Sequence, residues 1–491
     1  MDSLSFTQIP LTTRSPGQYV EFDFSKMRNG LPGRPYRVLC IGLGTFPSDL
    51  DRPVRVDSAD HAKAIFGQGS MLTGMCAVFN DQINSRDIQL WGMPLGEPAT
   101  GDPTAATGTF VFTGTATKAG IIALMVEQQR IQVSVAVGMT AAQTAAAVSA
   151  KINTYLDLSC TAGVSTATVT VTSRHKGTAG NSIYLAKNYD PGDRVPIGLT
   201  CEVTAMSGGT GDPVAATKLA LLGDQAFDAI LHFWTDATNI AAVEAFAADR
   251  AIATKRNYCW SLTHKTDSYS TLTTFAASRN SAFAPIVAMK GTPWPSWKVA
   301  AAVGGACANS IANDPATPLC DLVIKGMLPP KDNDRFSGTE RELLLQAGLA
   351  TLDVNDAGKV YIQLLVTTYK TNEAGYADDG LYLLTRLTTL FYISWAQQVL
   401  IAETYPRYKL GDDGGNYLPS AKVATPSQIR ATLAAQAVDF GKAGLIENVA
   451  AYIDALVVTR DATDRDRVNS FQRPDLINGF LKFASMIQPL A

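Results

Sequence analysis

The chain has 491 residues, 46% of them hydrophobic and 17% charged, a composition with apolar material for more than one core. The 41 basic and 44 acidic residues leave a net charge of −3, and no run of Lys or Arg offers the attraction that a phosphate backbone needs, so nucleic acid is excluded as an expected partner. No apolar run reaches bilayer length, and the opening residues lack a basic stretch followed by an apolar one; direct membrane insertion is not expected and folding in a cytoplasm is.

Residues 1–35 read as an extended N-terminal arm, because Pro10, Pro16, Gly17, Gly30, Pro32, Gly33 and Pro35 punctuate it too densely for a packed element. Inside it Tyr19, Val20, Glu21, Phe22 and Phe24 follow the alternation of a strand. A single strand cannot satisfy its own backbone groups, so this one must pair with a sheet edge in the same chain or in another. An apolar strand over 36–43 then opens a globular region. Ser58 is placed to cap a helix that Gly67 stops, and a helix from Ser70 puts Leu72, Cys76, Phe79 and Ile83 on one face before a strand over 87–93.

From about residue 97 Thr, Ala and Gly rise and short strands take over. Ile131, Val133, Val135 and Val137 alternate with small or polar residues, as do Ala167, Val169 and Val171. Thr140 and Gln143 have capping-box spacing at the head of a helix that carries Val148, Ile152 and Tyr155 inward. The stretch closes on Gly208, Gly209, Gly211 and Pro213, and the earlier pattern resumes after it. Strands at 227–234, 257–263 and 282–289 alternate with helices at 239–251, 269–278 and 297–312, which predicts a mostly parallel sheet. Further on, Thr339 and Glu342 have capping-box spacing, 350–354 and 359–366 form a hairpin, and helices cover 381–401 and 426–439. A last strand is expected over 475–489, with Leu481 and Phe483 on one face and Phe480 on the other.

The expected fold class is therefore multidomain α/β. An α/β core with a mostly parallel sheet is split between 36–96 and 212–325 by an inserted β-rich domain at 97–211, and an α+β domain follows at 326–470. Extended arms stand at both ends, the C-terminal one at 471–491.

Signals for chemistry are thin. Gly42 and Gly44 after an apolar strand open a dinucleotide fingerprint, but Pro47 occupies the place of its third glycine. Ser70 as a nucleophile needs a base, and none of His61, His175, His232 and His264 is singled out by spacing; a helix cap is the better account. His175 is expected in a basic turn, Arg174 to Gly177. No zinc, EF-hand or P-loop pattern is present, so no cofactor and no metal are expected. The 7 cysteines have no paired spacing and suit small reduced core residues. Trp260, Trp294 and Trp297 read as core residues of the α/β domain. An α/β serine hydrolase, or a carbohydrate- or virion-protein-binding insert, are the rival readings.

Three stretches carry a resemblance. The run Arg174-His175-Lys176-Gly177-Thr178-Ala179-Gly180-Asn181-Ser182-Ile183 in the insert is one; Gly348-Leu349-Ala350-Thr351 with Gly358-Lys359-Val360-Tyr361-Ile362 and Thr367-Thr368-Tyr369 is the second; Arg473-Pro474-Asp475-Leu476-Ile477-Asn478-Gly479-Phe480 is the third. Their order, behind an N-terminal arm, resembles the tail sheath proteins of contractile-tailed phages, especially the Mu-like type. That resemblance implies a subtilisin-like core without a working triad, and no enzymatic activity. It also implies a helical homo-oligomer of stacked six-fold rings that contracts around a tail tube to drive it through the host envelope, with baseplate and tail terminator proteins as further partners and the virion as location. The two terminal strands then have a use: Tyr19, Val20, Glu21, Phe22 and Phe24, and Ile477, Phe480, Leu481, Phe483 and Ile487, are expected to pair with neighbouring copies. The 359–366 strand, with Val360, Ile362 and Leu364, is the expected acceptor, and the insert is expected to face outward.

Overall fold

The apolar run at 36–43 becomes strand β1 (Tyr36–Leu43), buried along almost its whole length. A computed structural model describes residues 35–44, 52–85, 87–98 and 101–489; the expected arm strand at Tyr19, Val20, Glu21, Phe22 and Phe24 lies outside them. Edge strand β2 (Val54–Val56) leads into helix α1 (Ala59–Phe66), where the Ser58 side chain accepts from the His61 N–H and Gly67, at φ +83°, ends the helix in a conformation that a side chain would resist. Ser70 likewise caps α2 (Met71–Gln82), which buries Leu72, Cys76 and Phe79, and β3 (Ile88–Leu95) follows.

The next region folds into two small antiparallel sheets around one helix. Its strands are β4 (Ala105–Gly114), β5 (Gly120–Val126), β6 (Gln129–Val135), β7 (Cys160–Ser165), β8 (Thr168–Lys176), β9 (Leu185–Lys187) and β10 (Leu199–Ser207). They pair in the orders β10-β4-β8-β7 and β6-β5-β9. Helix α3 (Ala141–Ile152) has the capping box that Thr140 and Gln143 predict and buries Val148 and Ile152. Two inward assignments need correction. Val137 lies past the end of β6 and is 66% exposed, and Tyr155 lies past the end of α3 and is only half-buried.

The βα alternation then resumes as α4 (Ala215–Ala220), β11 (Ala229–His232), α5 (Ala237–Arg250), β12 (Trp260–Lys265), α6 (Tyr269–Ala277), β13 (Ile286–Ala288), α7 (Ser296–Asn313) and β14 (Leu322–Val323). Helix α8 (Gly338–Gln346) precedes the hairpin β15 (Ala350–Val354) and β16 (Val360–Leu364). The cap of α8 is Ser337 with Glu340, not Thr339 with Glu342; two overlapping matches to one spacing stand side by side, and the helix starts early enough to use the first.

These strands build one 9-stranded mixed sheet in the order β14-β16-β15-β13-β12-β11-β1-β3-β2. The run from β15 to β3 is parallel throughout, and antiparallel strands close both margins. The hairpin at 350–364, expected with the later α+β region, adds to this sheet because β15 pairs in parallel with β13. Helix α7 lies against the sheet through Gly304, where a Cβ would stand 2.3 Å from the Leu231 side chain. Trp260, Trp294 and Trp297 are buried, and 6 of the 7 cysteines are buried free thiols.

The remaining chain is helical with small strand pairs: α9 (Leu384–Thr404), β17 (Lys409–Leu410), β18 (Val423–Ala424), α10 (Pro426–Lys442), β19 (Ile446–Glu447), α11 (Val449–Ala455), β20 (Val457–Arg460), β21 (Val468–Phe471) and β22 (Asp475–Leu476). Strand β20 pairs with β21 as an antiparallel hairpin, and β22 pairs with β19.

Candidate assembly surfaces

The last strand expected from the sequence is mostly not a strand. Only Asp475 and Leu476 are paired, to Glu447 and Ile446, and the Ile477 N–H donates to the Leu445 carbonyl at 3.2 Å. Beyond that point no backbone hydrogen bond joins residues 478–489 to another described residue. Most of the large side chains in this stretch are apolar and out in solvent: Phe480 is 79% exposed, Phe483 81%, Met486 94% and Ile487 87%, while Leu481, like the preceding Ile477, is 38% exposed. A monomeric surface rarely tolerates so many bare apolar groups together, and a backbone left unpaired can complement a sheet edge.

The expected acceptor, by contrast, has no free edge. Strand β16, with Val360, Ile362 and Leu364, is held by β15 on one side and by β14 on the other, and Val360 and Ile362 are fully buried. The two-residue β14, too short to leave a period in the sequence, takes the place assigned to an incoming strand. An open alternative is the β20–β21 hairpin. Neither strand has a second neighbour among the described residues. Val457 and Phe471 project apolar side chains into solvent at 51% and 54% exposure. The Arg430 guanidinium fixes the hairpin's base by donating to the carbonyls of Leu456 at 2.9 Å and Ile453 at 2.7 Å. A two-stranded hairpin is marginal by itself and gains from added strands.

Comparison with known proteins decides what these surfaces belong to. Residues 208–368 match the phage tail sheath protein central domain. The chain is 33% identical over 488 residues, 99% of both proteins, to the Mu-like prophage FluMu tail sheath protein of Haemophilus influenzae. It belongs to the phage tail sheath family. The fold is also similar to chains in two cryo-EM structures of the anti-feeding prophage baseplate. One, with 9% identity, covers 98% of this chain and 100% of the other at a TM-score of 0.50. The second, in the contracted state, has 13% identity and covers 97% and 99% at a TM-score of 0.50. The chain is thus a structural subunit of a contractile phage tail sheath.

The residues that prompted an enzymatic reading have structural duties in this sheath subunit. Ser70 Oγ donates to Thr73 Oγ1 at 2.9 Å and accepts from the Thr73 N–H at 3.2 Å, so it is spent on its helix. His175 stands in β8 rather than in a turn; it is buried, and its Nε2 accepts from the Met71 N–H at 3.4 Å. Its Nδ1 is 4.0 Å from Glu97 Oε1, yet burial pulls its pKa down and favours the neutral ring. His232 and His264 sit fully buried in the parallel sheet, and desolvation pushes them down to about 3 and about 4. His61 lies on α1.

One arrangement had no sequence signal. Glu127, at the β5–β6 turn with φ +51°, is fully buried and meets Lys298 of α7 at 2.8 Å. Lys298 Nζ also donates to Gln128 Oε1 at 3.0 Å, and the Ser159 N–H donates to Glu127 Oε1 at 2.7 Å. Together with His175 on Met71, and the Ser296 N–H donating to Ser182 Oγ at 3.2 Å, this ties the region between β3 and β11 onto the large sheet and its helices. A pair separated by 171 positions leaves no local pattern, and only the fold brings it together.

Proposed function

We propose that this sheath subunit polymerises by lending its two chain ends to neighbouring copies, forming stacked six-fold rings around a tail tube. The single observation that carries this reading is the C-terminal segment 478–489, mostly apolar, without regular secondary structure and without a backbone partner among the described residues. Added to another copy's sheet edge, such a strand gains a row of backbone hydrogen bonds, and its alternating side chains set the register. The contact is head-to-tail, so repetition gives rings or helices rather than a closed dimer. The β20–β21 hairpin is the acceptor that the open edges favour. The N-terminal strand of Tyr19, Val20, Glu21, Phe22 and Phe24 is the second donor.

Contraction is then a rigid-body rearrangement in which folded cores rotate and slide while the lent strands stay paired. New contacts between cores supply the driving energy. The parallel run of the large sheet supports the subtilisin-like description of that core. The β-rich insert faces outward. Tail tube, baseplate and terminator proteins are the expected partners, the virion is the site of action, and assembly takes place in the host cytoplasm.

Removing residues 480–491, or separately 1–25, tests the proposal. Soluble, folded monomers are expected from either truncation; ordinary tubes in electron micrographs of both would remove its basis.

A further inference from the structure

The passage from anchored to unanchored chain at the C-terminus is abrupt. Gln472 Oε1 accepts from Gln397 Nε2 of α9 at 2.6 Å and from the Tyr452 hydroxyl of α11. Asp475 Oδ2 accepts from Asn448 Nδ2 at 2.6 Å, on the β22–β19 pairing that already joins Asp475 to Glu447 and Leu476 to Ile446. The Ile477 N–H is bonded to the Leu445 carbonyl, and Asn478 Nδ2 donates to Glu447 Oε1 at 3.0 Å. Gly479 then lies so close to Pro318 that a Cβ would stand 2.7 Å from the ring Cγ. After Gly479 no backbone or side-chain hydrogen bond to a described residue follows.

Two of these features are specific rather than generic packing. Asn448 is in the left-handed region, at φ +52°, a conformation that Asn tolerates better than most residues and that aims its amide at Asp475. The close approach of Gly479 to a proline ring leaves no room for any side chain, and a proline ring cannot rotate aside as a flexible side chain would. The 12 residues beyond can span at most about 43 Å when fully extended, so their point and direction of departure decide which neighbouring edge they reach.

We infer that residues 472–479, clasped by Asn448 and seated on Pro318, form a fixed pivot that positions the C-terminal arm for capture by a neighbouring subunit. Gln472, Asp475, Asn448 and Gly479 act through the arm and are positioning residues. Free of the clasp, the arm samples directions from which the neighbour's edge is out of reach, and the entropy of ordering it is lost again at every assembly step. The inference rests on the arm-exchange reading.

The test uses the full-length chain with Asp475→Ala, Asp475→Asn and Gly479→Val, beside a truncation that removes residues 480–491, and reads thermal melting and the rate of tube formation by light scattering. Asp475→Asn keeps an oxygen acceptor for Asn448. The pivot predicts melting curves like the parent's for all variants, tube formation slowed roughly five- to tenfold in Asp475→Ala, and recovery in Asp475→Asn. Gly479→Val, which unseats the chain by sterics alone, is expected to slow assembly at least as much. If the truncation blocks assembly while Asp475→Ala and Gly479→Val assemble at the parent's rate, the pivot is refuted and arm exchange stands. If the truncated chain itself forms tubes at the parent's rate, the arm reading and the pivot fall together.

Discussion

Lys298 and Glu127 show what one pair of residues can fix. Both are desolvated, at 4% and 0% side-chain exposure, so their attraction is largely consumed by the cost of leaving water. Removing one partner strands the other charge: Glu127→Ala or Lys298→Ala should cost about 3–5 kcal/mol in denaturant unfolding. A Glu127→Leu, Lys298→Met double variant should recover most of that loss, since it leaves neither charge behind. The buried histidines make a second prediction. His232 is pushed down to about 3 by burial, with Asp236 opposing, so it stays neutral in the fold while an unfolded histidine protonates near its ordinary value of 6.5. Its contribution to stability is therefore complete above pH 6.5 and is lost as pH falls toward 3, at about 1.4 kcal/mol per pH unit. His232→Phe should flatten that part of the acid stability profile; an unchanged slope would contradict the burial argument.

At the scale of elements, what the sequence disclosed was local. Ser58, Ser70 and Thr140 each cap the helix expected of them, because a cap is a bond across three residues. Where two caps overlap, at Ser337-Gly338-Thr339-Glu340 and Thr339-Glu340-Arg341-Glu342, spacing cannot choose, and the structure uses the first. The 350–364 hairpin is legible in the alternation around its turn, but its union with the parallel sheet, and the β14 strand that closes over β16, depend on contacts far apart in the chain. That is why Val360, Ile362 and Leu364 read as an acceptor strand, while in the structure β16 is paired on both sides. The apolar alternation of Phe480, Leu481 and Phe483 was visible too, yet whether a partner lies in the same chain is a question that periodicity does not address. Helix α7 is the element whose packing is most sensitive to a single change. Gly304 lets it rest on Leu231 of β11, so Gly304→Ala should destabilise the fold by about 1–3 kcal/mol through overpacking, measurable as a lower unfolding midpoint with an unchanged denaturant slope.

For the whole molecule, the question is how a chain with a complete large sheet and well-filled core still leaves its last residues unsatisfied. Under the proposed arm exchange, core satisfaction and arm exposure are complementary: a core that folds independently of the arm would let subunits move as bodies while lent strands hold them in one lattice. Strand exchange should also be steeply cooperative, because each copy is both donor and acceptor. Amide hydrogen exchange along residues 480–487, compared between dilute monomer and assembled tubes, tests the claim most directly. The account predicts rapid exchange in the monomer and protection by two or more orders of magnitude in tubes, roughly the 2.7 kcal/mol or more that a row of inter-strand hydrogen bonds would confer. Equally rapid exchange in both states, or protection already present in the dilute monomer, would contradict it.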